Sequence, residues 1–318
     1  MKTINHLDLF SGVGGFSLGL KRAGVKVGWH GFSDIDKHAN KVFKERFPDA
    51  EELGSVTDIQ SDSLPRIDLI TFGFPCQDLS IAGKRGGLKA NRSSLFFEAI
   101  KIIRNKKPKY FIFENVKGIF SSNGGKDFDI ILRSIADIGY DGQWQLCNTR
   151  WYLPQNRERI YFVGHIRGEC RPQVFPIGES NKKIPELYEQ RIQKQQLHTN
   201  SLTARYEGEG AGSYIIENKS ERELNQIGKI CEGDGGRVFS PDGIAPTLKA
   251  LGGGWGAKTG LYRVESSKIR RLTCKECERL QGFPDGWTDE QSDSQRYKQL
   301  GNAVSVPVVK AIMERLYR

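Results

Sequence analysis

Apolar positions in the first half of the chain fall into short runs separated by stretches with helical spacing. Ile4 to Phe10 is a strand-like run that leads into a glycine-rich turn, and Phe16 to Ala23 can coil as a helix. Val25 to Phe32 predicts a second strand, followed by a helix from Asp36 to Phe47 that stops before Pro48. Ile67 to Phe74 and Tyr110 to Phe113 are further strand candidates, with the helical stretch Ser94 to Arg104 between them. Ile130 to Ile138 predicts another helix and Arg159 to Gly164 another strand. Such alternation predicts an α/β fold, a Rossmann-like doubly wound parallel sheet with helices on both faces. Ligands of such sheets sit at the carboxyl ends of the strands, so the residues just after each apolar run come first as candidates for chemistry.

The pattern changes after Gly168. Thirteen of the 36 glycines lie between Gly208 and Gly260, and helical periodicity is lost there. Tyr206, Tyr214, Phe239 and Trp255, interleaved with Arg and Lys, are too rich for a plain linker. This stretch predicts a second, smaller domain, loop-rich and mixed in structure, whose loops contact a partner. The helix-competent segment Val306 to Leu316 closes the chain.

A length of 318 residues accommodates one large domain and a smaller one. No apolar run approaches the ~20 residues that cross a bilayer, and the first residues lead straight into a strand. A cytoplasmic protein is expected. With 48 basic and 38 acidic residues, the formal charge of +10 suits a polyanionic partner without identifying one. The six cysteines are scattered and fit free thiols in a reducing compartment. Cys274 and Cys277 form a lone C-x-x-C with no second pair nearby, so they are expected to be structural and no metal site is expected.

Three local patterns carry candidate chemistry. Asp8-Leu9-Phe10-Ser11-Gly12-Val13-Gly14-Gly15-Phe16 lets the backbone turn sharply from strand into helix and approach a ligand closely. Ser17 stands where a dinucleotide fingerprint has its third glycine, and no Gly-Lys-Ser/Thr follows, which excludes a P-loop. Asp34, after the second strand, can accept from ribose hydroxyls, and Ile35 can pack on an adenine face; a plain structural turn is the alternative. Gly73-Phe74-Pro75-Cys76-Gln77 sets a thiol at a strand end behind a stiff proline, although a cysteine is more often a small buried apolar residue. Glu114, directly after Tyr110 to Phe113, is a carboxyl group costly to bury without a task or partner. If the two strands are neighbours, thiol and carboxyl group face one pocket.

Taken in order, Gly73 to Gln77, Glu114-Asn115-Val116 and Gln155-Asn156-Arg157-Glu158-Arg159 resemble the catalytic motifs of the cytosine-5 DNA methyltransferase family, of the bacterial and phage restriction-modification type. Asp8 to Gly15 and Gln299-Leu300-Gly301-Asn302-Ala303-Val304 resemble its two cofactor motifs, and Arg270 to Pro284 the segment before the last. Only about Arg167 to Ser267 is uncovered, where that family keeps its variable target-recognition region. Leu79 stands where the family often has an aromatic residue and Ile35 where some members have tryptophan. Neither change removes a reactive group.

The resemblance implies a cofactor-binding and catalytic domain of residues 1–168 plus 295–318 and a target-recognition domain of 169–294. It implies S-adenosylmethionine as cofactor and methylation of carbon 5 of a flipped-out cytosine in double-stranded DNA. Cys76 would be the nucleophile, since a thiolate adding to carbon 6 makes carbon 5 enamine-like. Glu114 would share a proton with ring nitrogen 3, and Arg157 and Arg159 complete the expected catalytic set, Arg159 lending positive charge to the thiolate. Cofactor contacts are expected from Phe10, Gly12, Gly15, Asp34, Ile35, Asp58, Ile59, Pro75, Leu95, Asn302 and Ala303, with a helix cap as the alternative for Asp58. DNA contacts are expected from Gln77, Lys84, Arg85, Gln155, Arg205, Thr247 and Leu248, with Arg157 also reaching the DNA backbone. The glycine-rich loop Ile81 to Gly87 is expected to close over bound DNA as a lid. A monomer working beside a restriction endonuclease is the expected setting.

Three rivals differ in what they leave unexplained. An RNA cytosine methyltransferase would share these motifs, but the Cys-Phe-Thr signature of relatives acting on transfer RNA is absent. A non-catalytic homologue would have lost Cys76, Glu114 or the glycines. An oxidoreductase gives no account of Cys76 with Glu114.

Overall fold

The computed structural model describes residues 3–75, 95–178, 224–229, 237–250, 258–263 and 269–318. The large sheet is built from β1 (Ile4–Leu9), β2 (Val27–Ser33), β3 (Glu51–Glu52), β4 (Leu69–Gly73), β5 (Tyr110–Val116), β6 (Tyr140–Asn148) and β7 (Glu158–Ile166). Its strand order is β3-β2-β1-β4-β5-β7-β6. The five strands from β3 to β5 run parallel, as the alternating pattern predicts. β7 runs antiparallel to both β5 and β6, so the sheet is mixed. The reason lies in the connection. Residues 149–157 join β6 to β7 with no crossover helix, and only antiparallel strands can be joined so directly.

Helices cover both faces. On one lie α1 (Gly15–Arg22) and the closing α7 (Val306–Leu316), which seal a cluster containing Leu69, Ile112, Val163, Val309 and Ile312. On the other lie α3 (Leu95–Lys106) and α4 (Lys126–Asp137), over Leu7, Phe72, Phe111, Phe113 and Phe162. The helix α2 (Lys37–Arg46) starts at Asp36, whose carboxylate accepts from the His38 and Ala39 N–H groups as an N-cap.

The strand β6 is not evident from the sequence, because Gln143 and Gln145 interrupt its apolar run. Both are buried edge residues that hydrogen-bond to a covering segment. Gln143 donates to Pro172 O and accepts from Val174 N–H, and Gln145 donates to Ile177 O and accepts from Ile177 N–H. Two amide side chains thereby do what a neighbouring strand would do, and the sheet edge is closed.

A second sheet, ordered β11-β10-β9-β8, comprises β8 (Gln226–Lys229), β9 (Arg237–Phe239), β10 (Leu261–Arg263) and β11 (Ile269–Arg271). After it come α5 (Cys274–Gln281), with a Thr273–Glu276 capping box, and α6 (Asp293–Asn302). The expected domain boundary at 294/295 falls inside the first turn of α6. Both helices contribute to one cluster that also contains Val13, Leu18, Leu248 and Tyr262, so α5 packs with the first glycine turn as well as with the small sheet. Cys274 and Cys277 sit on α5, buried, and burial raises both thiols, Cys274 to about 11. Among the described residues no helix is long and apolar enough to cross a membrane.

Packing of α1 on α7 leaves no room at Gly19, where a Cβ would stand 2.4 Å from Val309 Cγ1. Alanine in mid-helix ordinarily gains about 1 kcal/mol over glycine. Here Gly19→Ala should instead lower unfolding free energy by about 1–3 kcal/mol through overpacking, measured in urea. Combined with Val309→Ala, the loss should be smaller than the sum of the two single changes. A stabilising Gly19→Ala would show that the two helices do not meet this closely.

Candidate active site

The chain leaves β1 through a turn held in unusual backbone conformations. Phe10, Gly12 and Gly14 have φ of 51°, 53° and 82°, and for phenylalanine that left-handed geometry is a strain that surrounding contacts must impose. Ser11 N–H donates to Ser33 O, and Gly12 N–H donates to Asp34 Oδ2 at 2.8 Å. Asp34 Oδ1 accepts from Asp36 N–H at 2.9 Å, so each oxygen of this carboxylate ties one turn to the next. Burial raises its pKa, and the backbone donors only partly offset that.

The two sequence-predicted glycines have different reasons. A Cβ on Gly12 would meet nothing within 4 Å, leaving open space beside the turn. A Cβ on Gly15 would lie 2.6 Å from Val304 Cγ2, so Gly15 is required by packing against the returning C-terminal segment. That contact brings Asn302, exposed, and Ala303, half-buried, to the glycine turn across nearly the whole chain. Ile35, beside Asp34, is 79% exposed, an isolated apolar side chain at a strand end next to open space. Ser33 Oγ donates to Gly54 O and so ties the 54–58 segment to the end of β2. Asp58 on that segment is exposed, accepts from Thr57 Oγ1 and caps no helix; Ile59 packs half-buried on the sheet core. Pro75 is exposed at the end of β4, and Leu95 is half-buried at the start of α3.

Of the catalytic candidates, Glu114 and Arg159 meet where β5 and β7 adjoin, beside the end of β4. β4 and β5 are parallel neighbours with Gly73 opposite Glu114, as the two-strand expectation requires. Asn115 Nδ2 donates to Phe74 O at 3.0 Å, which fixes the chain two residues before position 76. Cys76 itself lies outside the described residues, as do Gln77, Lys84, Arg85 and Arg205 and the expected lid. Glu114 is buried, and Arg159, reached across the antiparallel β5–β7 ladder, places Nε 3.0 Å from its Oε1. The pair is ionic without an aligned hydrogen bond to that oxygen. Burial raises the Glu114 pKa, and Arg159 and then Arg157 pull it back only in part. The result is a carboxyl group that takes up a proton more readily than a surface glutamate, with a cation beside it.

Three expected side chains are placed otherwise. Arg157 is fully buried, and its guanidinium donates to Leu248 O, Gly301 O and Ala303 O at 3.3, 3.2 and 2.8 Å. Burial lowers its pKa to about 9. It braces three carbonyls of two distant backbone segments and does not reach out to a phosphate. Gln155 is wholly buried, in a parallel bridge with Ala245, and Leu248 sits in the shared apolar cluster, so neither side chain faces a partner. Thr247, half-buried, donates its hydroxyl to Asn156 O, which docks the expected recognition pair onto the Gln155 to Arg159 motif.

Sequence reasoning missed a polar network beneath the glycine turn. Asp8, fully buried, accepts from Ser17 Oγ at 2.8 Å and Thr71 Oγ1 at 2.7 Å. With both hydroxyls donating to Asp8, their oxygens are free to accept from His30 Nε2 at 3.0 Å and His6 Nε2 at 2.8 Å. The imidazoles stack at 5.1 Å, and burial lowers both their pKa values, His30 to about 4. Burial raises Asp8 to about 7. His6 and Asp8 at alternate positions of an apolar strand were the available signal, since both must face the same side.

Residues 4–318 match the family model described as C-5 cytosine-specific DNA methylase. The type II methyltransferase M.HhaI of Haemophilus parahaemolyticus is 34% identical over 317 residues, covering 97% of this chain and 93% of that one. The type II methyltransferase M1.ScrFI of Lactococcus lactis subsp. cremoris is 34% identical, covering 98% of this chain and 77% of its own. In fold, the chain is similar to the Entamoeba histolytica methyltransferase EhMeth (TM-score 0.68, 18% identity, 100% of this chain and 98% of that one). It is also similar to a mutant of Spodoptera frugiperda DNMT2 (TM-score 0.66, 19% identity, 99% and 100%).

The buried carboxyl group of Asp8 makes a pH test. Its folded pKa of about 7 lies above the ordinary 3.8. As pH rises between these values the unfolded chain releases a proton that the fold retains, so stability falls and the penalty is complete above about pH 7. Relative to Asp8→Asn, the wild-type protein should lose roughly 2–3 kcal/mol of unfolding free energy between about pH 5 and pH 8. A difference that stays constant over that range would mean Asp8 is not buried in this network.

Proposed function

The chain belongs to the C-5 cytosine-specific DNA methylase family, and from that premise we propose that it uses S-adenosylmethionine to methylate a flipped-out cytosine in double-stranded DNA through a covalent adduct on Cys76. The observation that carries this reading is the register of Gly73 against Glu114, with Arg159 3.0 Å from the Glu114 carboxylate. The chain running on from Gly73 to position 76 starts beside a proton-holding acid and a cation.

S-adenosylmethionine supplies an electrophilic sulfonium methyl group. The residues around the glycine turn fit an adenosine-bearing molecule. Gly12 leaves open space, Ile35 offers an apolar face with no protein partner over most of its surface, and Asp34 directly after β2 and Asp58 in the segment after β3 are available as acceptors. In this reading Phe10, Ile59, Pro75, Leu95, Asn302 and Ala303 complete the lining, and Gly15 serves by letting Val304 approach.

Cys76, as thiolate, adds to carbon 6 of the cytosine while Glu114 shares its proton with nitrogen 3, so negative charge does not build up in the ring. Carbon 5 then carries the electron density that takes the methyl group. Loss of the proton from carbon 5 to a base restores the double bond and expels Cys76 as thiolate. Arg159 favours the anionic forms of both Cys76 and Glu114, and the burial of Glu114 works against ionisation of the acid. Extrusion of the base costs a few kcal/mol, to be offset by phosphate contacts from Lys84 and Arg85. Within the target-recognition domain, residues 169–294, Arg205 and Thr247 are the reading candidates, with Gln77 entering from the catalytic side. The names of the similar type II methyltransferases support a place in a restriction-modification system; in this reading the enzyme works as a monomer in the cytoplasm beside a restriction endonuclease.

Cys76→Ala should abolish methylation and leave S-adenosylmethionine binding nearly intact, as read by methyl transfer to duplex DNA and by calorimetry. Duplex DNA with fluorine at cytosine carbon 5 should leave a denaturation-stable adduct on Cys76, located by peptide mass spectrometry. Glu114→Gln should lower kcat by about 10²–10⁴. Turnover in Cys76→Ala, or an adduct on another cysteine, would remove the covalent role from residue 76.

A further inference from the structure

The strained turn from Phe10 to Gly15 is held from one side by Asp34. Its other side is held by a residue distant in sequence. Trp287 Nε1 donates to Val13 O at 2.8 Å, a buried hydrogen bond spanning 274 positions. Val13 precedes the first helical acceptor of α1, Gly14 O, so its carbonyl needs a donor from outside the helix. The indole supplies it, with both residues buried.

The loop that carries Trp287 is itself fixed from within and from outside. Glu278, fully buried on α5, accepts from Gly286 N–H, Thr288 N–H and Thr288 Oγ1 and pairs with Arg296 on α6. Arg46, at the end of α2, donates to Trp287 O and Gly286 O and lies with its guanidinium 5.4 Å from the indole centroid. Phe47 and Phe283 pack on the ring at 6.0 and 5.5 Å, and Phe283 also approaches Gly15. A rigid loop therefore presents one N–H group to the one turn that the methyl-donor site is built around.

We propose that Trp287 is a positioning residue for S-adenosylmethionine, its indole N–H holding the Val13 carbonyl so that the Gly12 backbone stays in its binding conformation. This rests on the cofactor reading given above. Asp34 and Trp287 act on the turn in complementary ways, one accepting from the Gly12 N–H and the other donating to the Val13 carbonyl one residue later. Loss of either bond frees a turn whose φ values are disfavoured for most residues.

Trp287→Phe keeps an aromatic ring in the packed site and removes only the donor. S-adenosylmethionine affinity, measured by calorimetry on the full chain, should fall about tenfold, the usual cost of leaving a buried acceptor unpaired. The KM for S-adenosylmethionine should rise in parallel, with kcat at saturating donor and the KM for DNA changed by less than about twofold. A purely structural role would lower the melting temperature of the free protein and leave the donor-induced increment unchanged; positioning predicts a smaller increment. Should Trp287→Phe fail to fold, Arg46→Gln, which loosens the loop and leaves the indole in place, should also raise the donor Kd. Unchanged donor affinity in the folded variant, or a fall in kcat at constant affinity, would overturn the proposal. Failure of the wild-type protein to bind S-adenosylmethionine at all would instead remove the cofactor reading on which it rests.

Discussion

A single buried ion pair organises the catalytic end of this molecule. Glu114 lies at the carboxyl end of β5 with almost no solvent access, and Arg159 on the reversed strand β7 stands 3.0 Å from it. Charged groups are removed from water at a cost that only a close partner offsets, and breaking such a pair costs about 3–5 kcal/mol. The pair therefore ties β5 to β7 beside the point where β4 delivers the chain toward position 76. The reversal of β7 is what makes this possible. A parallel strand would carry its charged start to the opposite edge of the sheet.

Around that pair, distant segments converge through a small number of buried polar contacts. Arg157 draws the carbonyls of Leu248, Gly301 and Ala303 to one guanidinium. Gly301 allows the backbone of Lys249 and Ala250 to approach so closely that a Cβ would stand 2.3 Å from Ala250 N. Gly15 admits Val304 in the same way. The expected DNA-reading segment, the closing motif and the glycine turn are thus in mutual contact. In the proposed enzyme this gives the recognition region a short mechanical route to the methyl-donor site.

Much of this arrangement was legible in the sequence because the functional groups interrupt apolar runs at strand ends. Asp34, Glu114 and Gly73 all stand at the ends of such runs, and the parallel order of β4 and β5 sets Gly73 opposite Glu114. Strand direction was not legible for β7, since an apolar run has the same pattern in either direction. The strand β6 was hidden by Gln143 and Gln145, whose burial depends on backbone partners about thirty residues on. Arg157, Gln155 and Leu248 looked like surface contacts because residue type says nothing about partners supplied by other segments. Trp287 gave no local signal at all, for its hydrogen bond spans most of the chain.

Glu114 is an acid held ready for protonation by burial and restrained by Arg159. Its carboxyl carbon can be followed by carbon-13 NMR across a pH titration, in the wild-type chain and in Arg159→Met. The expected midpoint lies above the ordinary glutamate value of 4.5 and moves higher when the arginine is lost. A wild-type midpoint at or below the ordinary value, unmoved by Arg159→Met, would show a solvated carboxylate with no partner and would contradict this role.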